Sequence, residues 1–332
     1  MKRRDFITLI GGASLPDIIF PNWANAQVSR ARPLVVWLIS FTPKKLAGVS
    51  FFEVFTESMQ KLGYVNGRDF DLILRSADGS PERLPTIVQE VVALKPDVIV
   101  APATLEAVAV RKATSTIPIV CPALADAMHL GLIASEARPG GNVTGIEPYI
   151  PGLPAKQIEL AREIVPGARR IGLLTNQEDP KGPAQATELE VAGKAIGLTI
   201  VAANASSRDN IEDALQVLAS EKVDVAIVLQ TNLLILNNEQ IARSSLEKHV
   251  ATVFGYRENV VSGGLVSYGV DLRWCYRHAA YFVDKILRGT AAGNIPIEFP
   301  TGFWLAVNLK TARSLGIVMP MSLLARADEV IE

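Results

Sequence analysis

The chain reads as an α/β protein of two lobes, each a parallel sheet covered by helices on both faces. Three features carry this reading: short, continuous apolar runs, helix-periodic segments between them, and a restart of the same alternation after residues 146–155. A strand buried on both faces needs apolar side chains at every position, whereas a half-buried strand alternates. Strand and helix in strict turn give parallel neighbours with crossover helices.

Residues 33–39 (PLVVWLI) form the first buried strand. A helix is predicted from about Lys45, with Phe52, Phe55, Met59 and Leu62 on one face and Gly63 ending it. Residues 69–74 (DFDLIL) make the second strand. Ser80 and Pro81 then start a helix, as cap and first-turn proline, that ends near Leu94. Strands at 97–101 (DVIVA), 117–120 and 142–146 follow, with a helix over 104–114 after the first of them. The stretch 146–155 holds Pro148, Pro151, Gly152 and Pro154 and reads as a connection. The second unit opens with a strand at 170–174 (RIGLL) and a helix over 183–196. It continues with strands at 198–202, 223–229 and 252–254 and helices over 210–220 and 238–249. After residues 264–268 come an amphipathic helix over 272–287 and a proline-rich tail. The expected organisation is a first lobe of 32–148 plus about 265–292, and a second of 149–264 plus about 293–332.

The 332 residues carry 33 Lys+Arg against 34 Asp+Glu, and the near-zero net charge offers no basic footprint for nucleic acid. No run of about 18 apolar residues is present, so no membrane span is expected. Residues 1–26 read as a cleaved export signal. Lys2, Arg3 and Arg4 are followed by the weakly apolar stretch 7–13, and Ala24-Asn25-Ala26 supplies the small-x-small cleavage pattern. The Arg3-Arg4 pair before Phe6 resembles a twin-arginine leader, although Pro16 and Asp17 interrupt the apolar stretch. A periplasmic, monomeric protein is expected.

In open α/β sheets, ligands sit beyond the carboxyl ends of the strands. The loops there are 40–44, 102–106, 122–128, 175–181, 230–234 and 255–258. The candidate ligand-binding residues are Ser40, Thr42, Ala103, Thr104, Asp126, Asn176, Glu178, Gln230, Asn232 and Tyr256, with Arg257 beside them. This polar set with few charges suits a small polar or zwitterionic ligand between the lobes.

Catalytic and cofactor patterns fail. No phosphate-binding G-x-x-x-x-G-K-[ST] is present, and residues 192–195 (AGKA) fall inside a helix. No G-x-G-x-x-G follows the first strand, so no dinucleotide cofactor is expected. His129, His249 and His278 are too dispersed for a metal or a catalytic base. Residues 264–269 miss the nucleophile-elbow pattern by one position and place Ser267 within a strand. Neither an enzyme, a cofactor nor a metal is expected. Cys121 and Cys275 read as buried thiols that would pair only if one lobe holds both. Phe41, Tyr149, Tyr256 and Tyr268 lie near loop ends, with Tyr256 the strongest candidate for ligand contact.

Several segments resemble the exported substrate-binding proteins of ABC transporters, the family that includes tryptophan- and tyrosine-binding receptors. They are 61–68 (KLGYVNGR), 116–120 (TIPIV), 137–145 (ARPGGNVTG), 263–269 (GGLVSYG), 308–312 (NLKTA) and 324–332 (LARADEVIE), in the family's order. The leader 3–7 (RRDFI) is also similar. The resemblance implies a type I periplasmic-binding-protein architecture, with two lobes joined by three crossovers and a ligand closed between them. The implied partners are a small molecule and an ABC permease with its ATPase. The family often has Asp followed by Pro-Val after the fourth strand, where this chain has Asp126-Ala127-Met128. Its loop 175–179 keeps Asn176 but is more acidic than the family's.

On this reading a ligand carboxylate meets the helix start near Thr104 and Leu105, an ammonium pairs with Asp126 or Glu178, and the ligand body packs on Tyr256 or Phe41. The implied ligand is an amino acid or an aromatic carboxylate. A sensory protein serving a membrane signalling partner would share this design, and an enzyme with an unrecognised site is the third alternative. With only the leader before residue 33, a DNA-binding regulator is not expected.

Overall fold

Burial of branched aliphatic side chains on both faces of each strand sets the architecture. The computed structural model describes residues 32–43, 45–80, 82–150 and 152–332, so the export signal at 1–26 lies outside the described residues. The first half runs β1 (Leu34–Ile39), α1 (Phe51–Lys61), β2 (Asp71–Ser76), α2 (Leu84–Ala93), β3 (Val98–Val100), α3 (Thr104–Ala113), β4 (Ile119–Cys121) and β5 (Val143–Gly145). Next come α4 (Leu153–Ile164), β6 (Arg170–Thr175), α5 (Gly182–Ala195), β7 (Thr199–Asn204), α6 (Ile211–Ser220) and β8 (Val225–Val228). They are followed by α7 (Asn232–Leu236), α8 (Asn238–Glu247), β9 (Ala251–Phe254), α9 (Arg257–Val261) and β10 (Val266–Val270). The chain ends with α10 (Leu272–Leu287), β11 (Phe303–Asn308), α11 (Leu309–Ser314), α12 (Met321–Leu324) and β12 (Glu329–Ile331).

Two sheets result, and they define two lobes. The first has the order β2-β1-β3-β4-β5, and all its pairings are parallel. The second has the order β12-β11-β10-β9-β8-β6-β7. It is parallel except where β11 returns antiparallel to β10, so it is mixed rather than purely parallel. Strand β1 shows why its run is unbroken. Val35, Trp37 and Ile39 enter one core with α1 and α10, while Leu34, Val36 and Leu38 enter the opposite core with α2 and α3.

The structure departs from the sequence expectations in a few places. Helix α1 begins at Phe51 rather than Lys45, because residues 46–49 close a tight turn. Leu46 and Val49 exchange backbone hydrogen bonds at 2.9 and 2.8 Å, and Ala47 and Gly48 take positive φ. Ser50 caps the helix by accepting from Glu53 N at 3.2 Å. Helix α2 starts at Leu84, while Ser80 spends its hydroxyl on Glu82 at 2.7 Å. The connection is shorter than expected, since α4 already starts at Leu153. The tail is ordered, with β11 and β12 extending the second sheet.

The stretch about 265–292 divides between the lobes. Strand β10 lies inside the second sheet, whereas α10 buries Cys275, Tyr276, Ala279, Phe282 and Val283 in the core of the first. Ile295 and Ile297 also pack in first-lobe cores, so the chain returns to the second sheet only at Phe303. The chain thus passes between lobes three times, after Ile146, between Val270 and Leu272, and after Glu298. Two of these strands are tied together: Glu298 N donates to Gly145 O at 3.1 Å and Glu147 N donates to Glu298 O at 2.9 Å. Gly145 permits the close approach of β5 to β4, since a Cβ there would lie 2.1 Å from the Cys121 carbonyl oxygen. Cys121 and Cys275 are buried free thiols, and burial pushes both upward in pKa.

Two predictions follow from this packing. Phe55 is fully buried with its ring 5.1 Å from that of Trp37. Phe55→Ala should cost about 3–5 kcal/mol, read as a lower urea midpoint; a loss under about 1 kcal/mol would contradict the packing. Glu147, on the connecting strand, is pushed up to about 7 by burial, with Glu136 and Asp126 adding to the shift. Its folded pKa exceeds the unfolded one, so the carboxyl's ionisation opposes folding fully above pH 7, and this cost fades as pH falls towards about 4.3. Glu147→Gln should therefore raise the melting temperature by about 2 °C at pH 8, with the gain vanishing near the lower limit. An equal gain at both pH values would contradict this.

Candidate ligand-binding cleft

The loops leaving the carboxyl ends of β1, β3 and β4 face those leaving β6, β8, β9 and β10 across one cavity of about 280 Å³. From the first lobe come Phe41 and Pro43 after β1, Pro102 and Ala103 after β3, and Ala123 after β4. The second lobe supplies Lys181, Asn232, Ile235, Leu236 and Tyr256. Trp37, Phe51, Phe52 and Tyr276 complete an aromatic wall. Phe51 stacks on Tyr276 with centroids 4.4 Å apart, and Phe52 stands edge-on to Trp37 at 5.5 Å. Such a wall presents flat apolar faces to a guest.

The polar end of the cavity is built by Asp179. This carboxylate, 6% exposed, accepts from Lys181 N at 3.0 Å through one oxygen and from Asn232 N at 2.8 Å through the other. It thereby pins the loop after β6 to the loop after β8. Held in this way, Lys181 Nζ donates to Asn232 Oδ1 at 3.2 Å. Lys181 is only 5% exposed, and among the described residues no carboxylate oxygen lies within 4.0 Å of its ammonium. Asn232 Nδ2 is buried without a hydrogen-bond partner.

A second hollow, about 480 Å³, shares Lys181 as part of its wall. It is lined by Asp126, Glu136, Glu147 and Glu188, with His129, Tyr149 and Gln185. Glu188 braces the connection there, accepting from Tyr149 OH at 2.7 Å and Gly152 N at 2.9 Å. Among the described residues no group of three His, Cys, Asp or Glu is placed to hold a metal ion, and no helix is long and apolar enough to cross a membrane.

Of the residues singled out in the sequence, Ala103, Asn232 and Tyr256 line the aromatic cavity, while Asp126 lines the second hollow and pairs with His129 at 2.5 Å. The others serve the loops. Ser40 turns inward, its hydroxyl donating to Glu106 at 2.5 Å and its N–H at 2.9 Å. Glu106 is fully buried; burial raises its pKa, and its second oxygen has no partner. Thr104 is buried and accepts from Ala125 N at 2.9 Å, which fixes the loop after β4. Asn176 accepts from Glu178 N at 3.0 Å within its own turn. Gln230 is buried against Gly255, where a Cβ would lie 1.9 Å from its amide nitrogen, and its own N–H donates to Gln185 at 3.0 Å. Thr42 and Glu178 are exposed and line neither cavity. Arg257 pairs with Glu329 away from both.

Lys181, Trp37, Phe51, Phe52 and Tyr276 were not anticipated. Lys181 ends a loop already marked as facing the cleft, directly after Pro180 and before the first residue of α5. The aromatics were absorbed into the strand and helix stripes, where they serve as core and cavity wall at once.

Comparison with known proteins agrees with this architecture. The family model described as ABC transporter substrate binding protein matches residues 49–331. A tyrosine-binding protein of Clostridioides difficile (strain R20291) is 26% identical over 261 residues, covering 79% of this chain and 75% of that one. A Vibrio cholerae conserved domain protein has a crystal structure that superposes with a TM-score of 0.84 at 27% identity, over 90% of this chain and 99% of the other. An ABC domain from Streptococcus pneumonia, solved in complex with L-Trp, gives 0.83 at 23% identity, over 91% and 100%. With the match to the family model spanning both lobes and the cleft between them, this chain belongs to the ABC transporter substrate binding protein family.

Proposed function

We propose that the chain is the exported receptor of an ABC importer, capturing a small organic solute with a flat apolar body between its two lobes. The observation that carries this reading is the aromatic cavity of about 280 Å³, whose walls come from strand-end loops of both lobes. An amino acid or an aromatic carboxylate fits such a wall, and the tyrosine-binding relative supports a ligand of this size and shape. The basic leader with its Ala24-Asn25-Ala26 cleavage pattern supports export, with the mature protein working outside the cytoplasm as a monomer. The implied partner is a permease with its ATPase.

The mechanism is binding coupled to hinge closure. A ligand seated on Trp37, Phe51 and Tyr276 of one wall gains the contacts of Tyr256, Ile235 and Leu236 only when the lobes approach. Contact with both walls is the differential affinity that shifts the population towards the closed form. The permease then reads closure rather than the ligand itself. No bond in the solute is made or broken.

The test is a thermal-shift and titration screen of the purified mature chain with aromatic amino acids and aromatic carboxylates. At least one should raise the melting temperature, because a ligand that binds only the folded state stabilises it by mass action. The same ligand should change the emission of Trp37, a response lost in Trp37→Phe. Tyr256→Ala should weaken binding about tenfold, as expected from losing roughly 1.4 kcal/mol of ring contact. A panel in which no compound shifts the melting temperature would overturn the reading.

A further inference from the structure

The charged side chains described at the aromatic cavity are of one sign, and this bears on the chemical class of the solute. The point rests on the reading above, that the cavity is where the solute binds. Among the described residues no Asp or Glu side chain lines it. The charged residues described in its lining are Lys45, which is exposed and paired with Glu53 at 3.2 Å, and the buried Lys181. Beside Lys181, Asn232 Nδ2 is a second buried donor with no acceptor. Helix α3, ten residues long, also starts at this cavity, and its N-cap Ala103 provides no side-chain cap for the first-turn N–H groups.

The carboxylates that could receive a ligand ammonium are committed or absent from this space. Asp179 spends both oxygens on the backbone of Lys181 and Asn232. Glu106 is closed off behind Ser40 and lines neither cavity. Asp126, Glu136, Glu147 and Glu188 line the other hollow, with Lys181 in the wall between. An ammonium in the aromatic cavity would therefore lose its water without gaining an anion, and would face a cation. Glu106 acts on Lys181 only through space, so a carboxylate in the cavity would give the ammonium its first direct ion pair among the described residues and Asn232 Nδ2 an acceptor.

We propose that the solute is an aromatic carboxylic acid without an α-ammonium group, its carboxylate held by Lys181 and Asn232 and its ring against Trp37 and Tyr256. Lys181 is then the residue that sets specificity, by charge, while the aromatic wall sets it by shape. The cavity volume, near the lower end for small-molecule sites, fits one ring system with a short acid chain.

Calorimetric titration of the mature chain with matched pairs tests this. The probes are L-phenylalanine, L-tyrosine and L-tryptophan, each against its deaminated acid: 3-phenylpropionate, 3-(4-hydroxyphenyl)propionate and indole-3-propionate. The neutral alcohol 3-phenylpropanol completes the set. In at least one pair the acid should bind at least tenfold more tightly than the amino acid. Lys181→Met should weaken that acid at least tenfold while leaving the alcohol within about twofold, and Lys181→Arg should restore most of the loss. The melting temperature of ligand-free Lys181→Met should equal or exceed that of the parent, which separates lost recognition from lost folding. Amino acids binding as tightly as their deaminated acids, or a harmless Lys181→Met, would overturn this proposal and leave the aromatic-receptor reading standing. Failure of all seven compounds to bind would overturn both.

Discussion

A buried ammonium without a directly bonded carboxylate, at the end of an apolar cavity, organises the centre of this protein. Lys181 is buried at the base of its loop, and Asp179 binds the backbone of two adjacent loops of the second lobe rather than the ammonium. A buried ammonium whose hydrogen-bond acceptor is a neutral amide is far less well solvated than one in water, so the site is poised for an anion. On the side of the aromatic cavity its neighbours are mostly apolar, which lowers the local dielectric and strengthens whatever charge pairing the solute provides there, while its other side borders the acidic hollow. The design is economical: one carboxylate fixes two loops, and those two loops present one cation and one amide.

The fold supplies the position. Strand β1 is apolar throughout because helices cover both of its faces, and its end delivers Phe41 and Pro43 to the cavity. The ends of β8 and β9 deliver Asn232 and Tyr256 from the opposite side. Helix α10 belongs by packing to the first lobe although the strand before it is in the second sheet, so Leu272 and Tyr276 sit where the chain crosses. Acidic residues lie along the connection: Glu147 on it accepts from Asp126 N, and Glu188 of α5 accepts from Tyr149 and Gly152. The connecting segments and the cavity are thus neighbours.

The succession of strands and helices along the chain and the sites of the strand-end loops were legible in the sequence, because buried parallel strands leave unbroken apolar runs and crossover helices leave a 3.6-residue stripe. Where a polar side chain points within a loop was not. Ser40, Thr104 and Gln230 lie in the right loops, but each satisfies a buried partner of the protein itself, since buried loop backbone and carboxyl groups must be paired before any ligand is. Lys181 was hidden for the opposite reason: lysine is rarely buried, so its position ahead of a helix suggests a solvated residue. Trp37 and Phe52 were hidden because periodicity marks a residue as apolar-facing without distinguishing core from cavity wall. The antiparallel return of β11 and the lobe membership of β10 depend on long-range pairing that local pattern does not encode.

The central claim, that a solute lies between the aromatic wall and Lys181, is tested most directly by a crystal structure of the mature chain with the tightest-binding aromatic acid. The account predicts ring density against Trp37, Tyr256 and Tyr276, with a carboxylate oxygen within hydrogen-bonding distance of Lys181 Nζ and of Asn232 Nδ2. Density lying instead among Asp126, Glu147 and Glu188, or outside the cleft altogether, would contradict it.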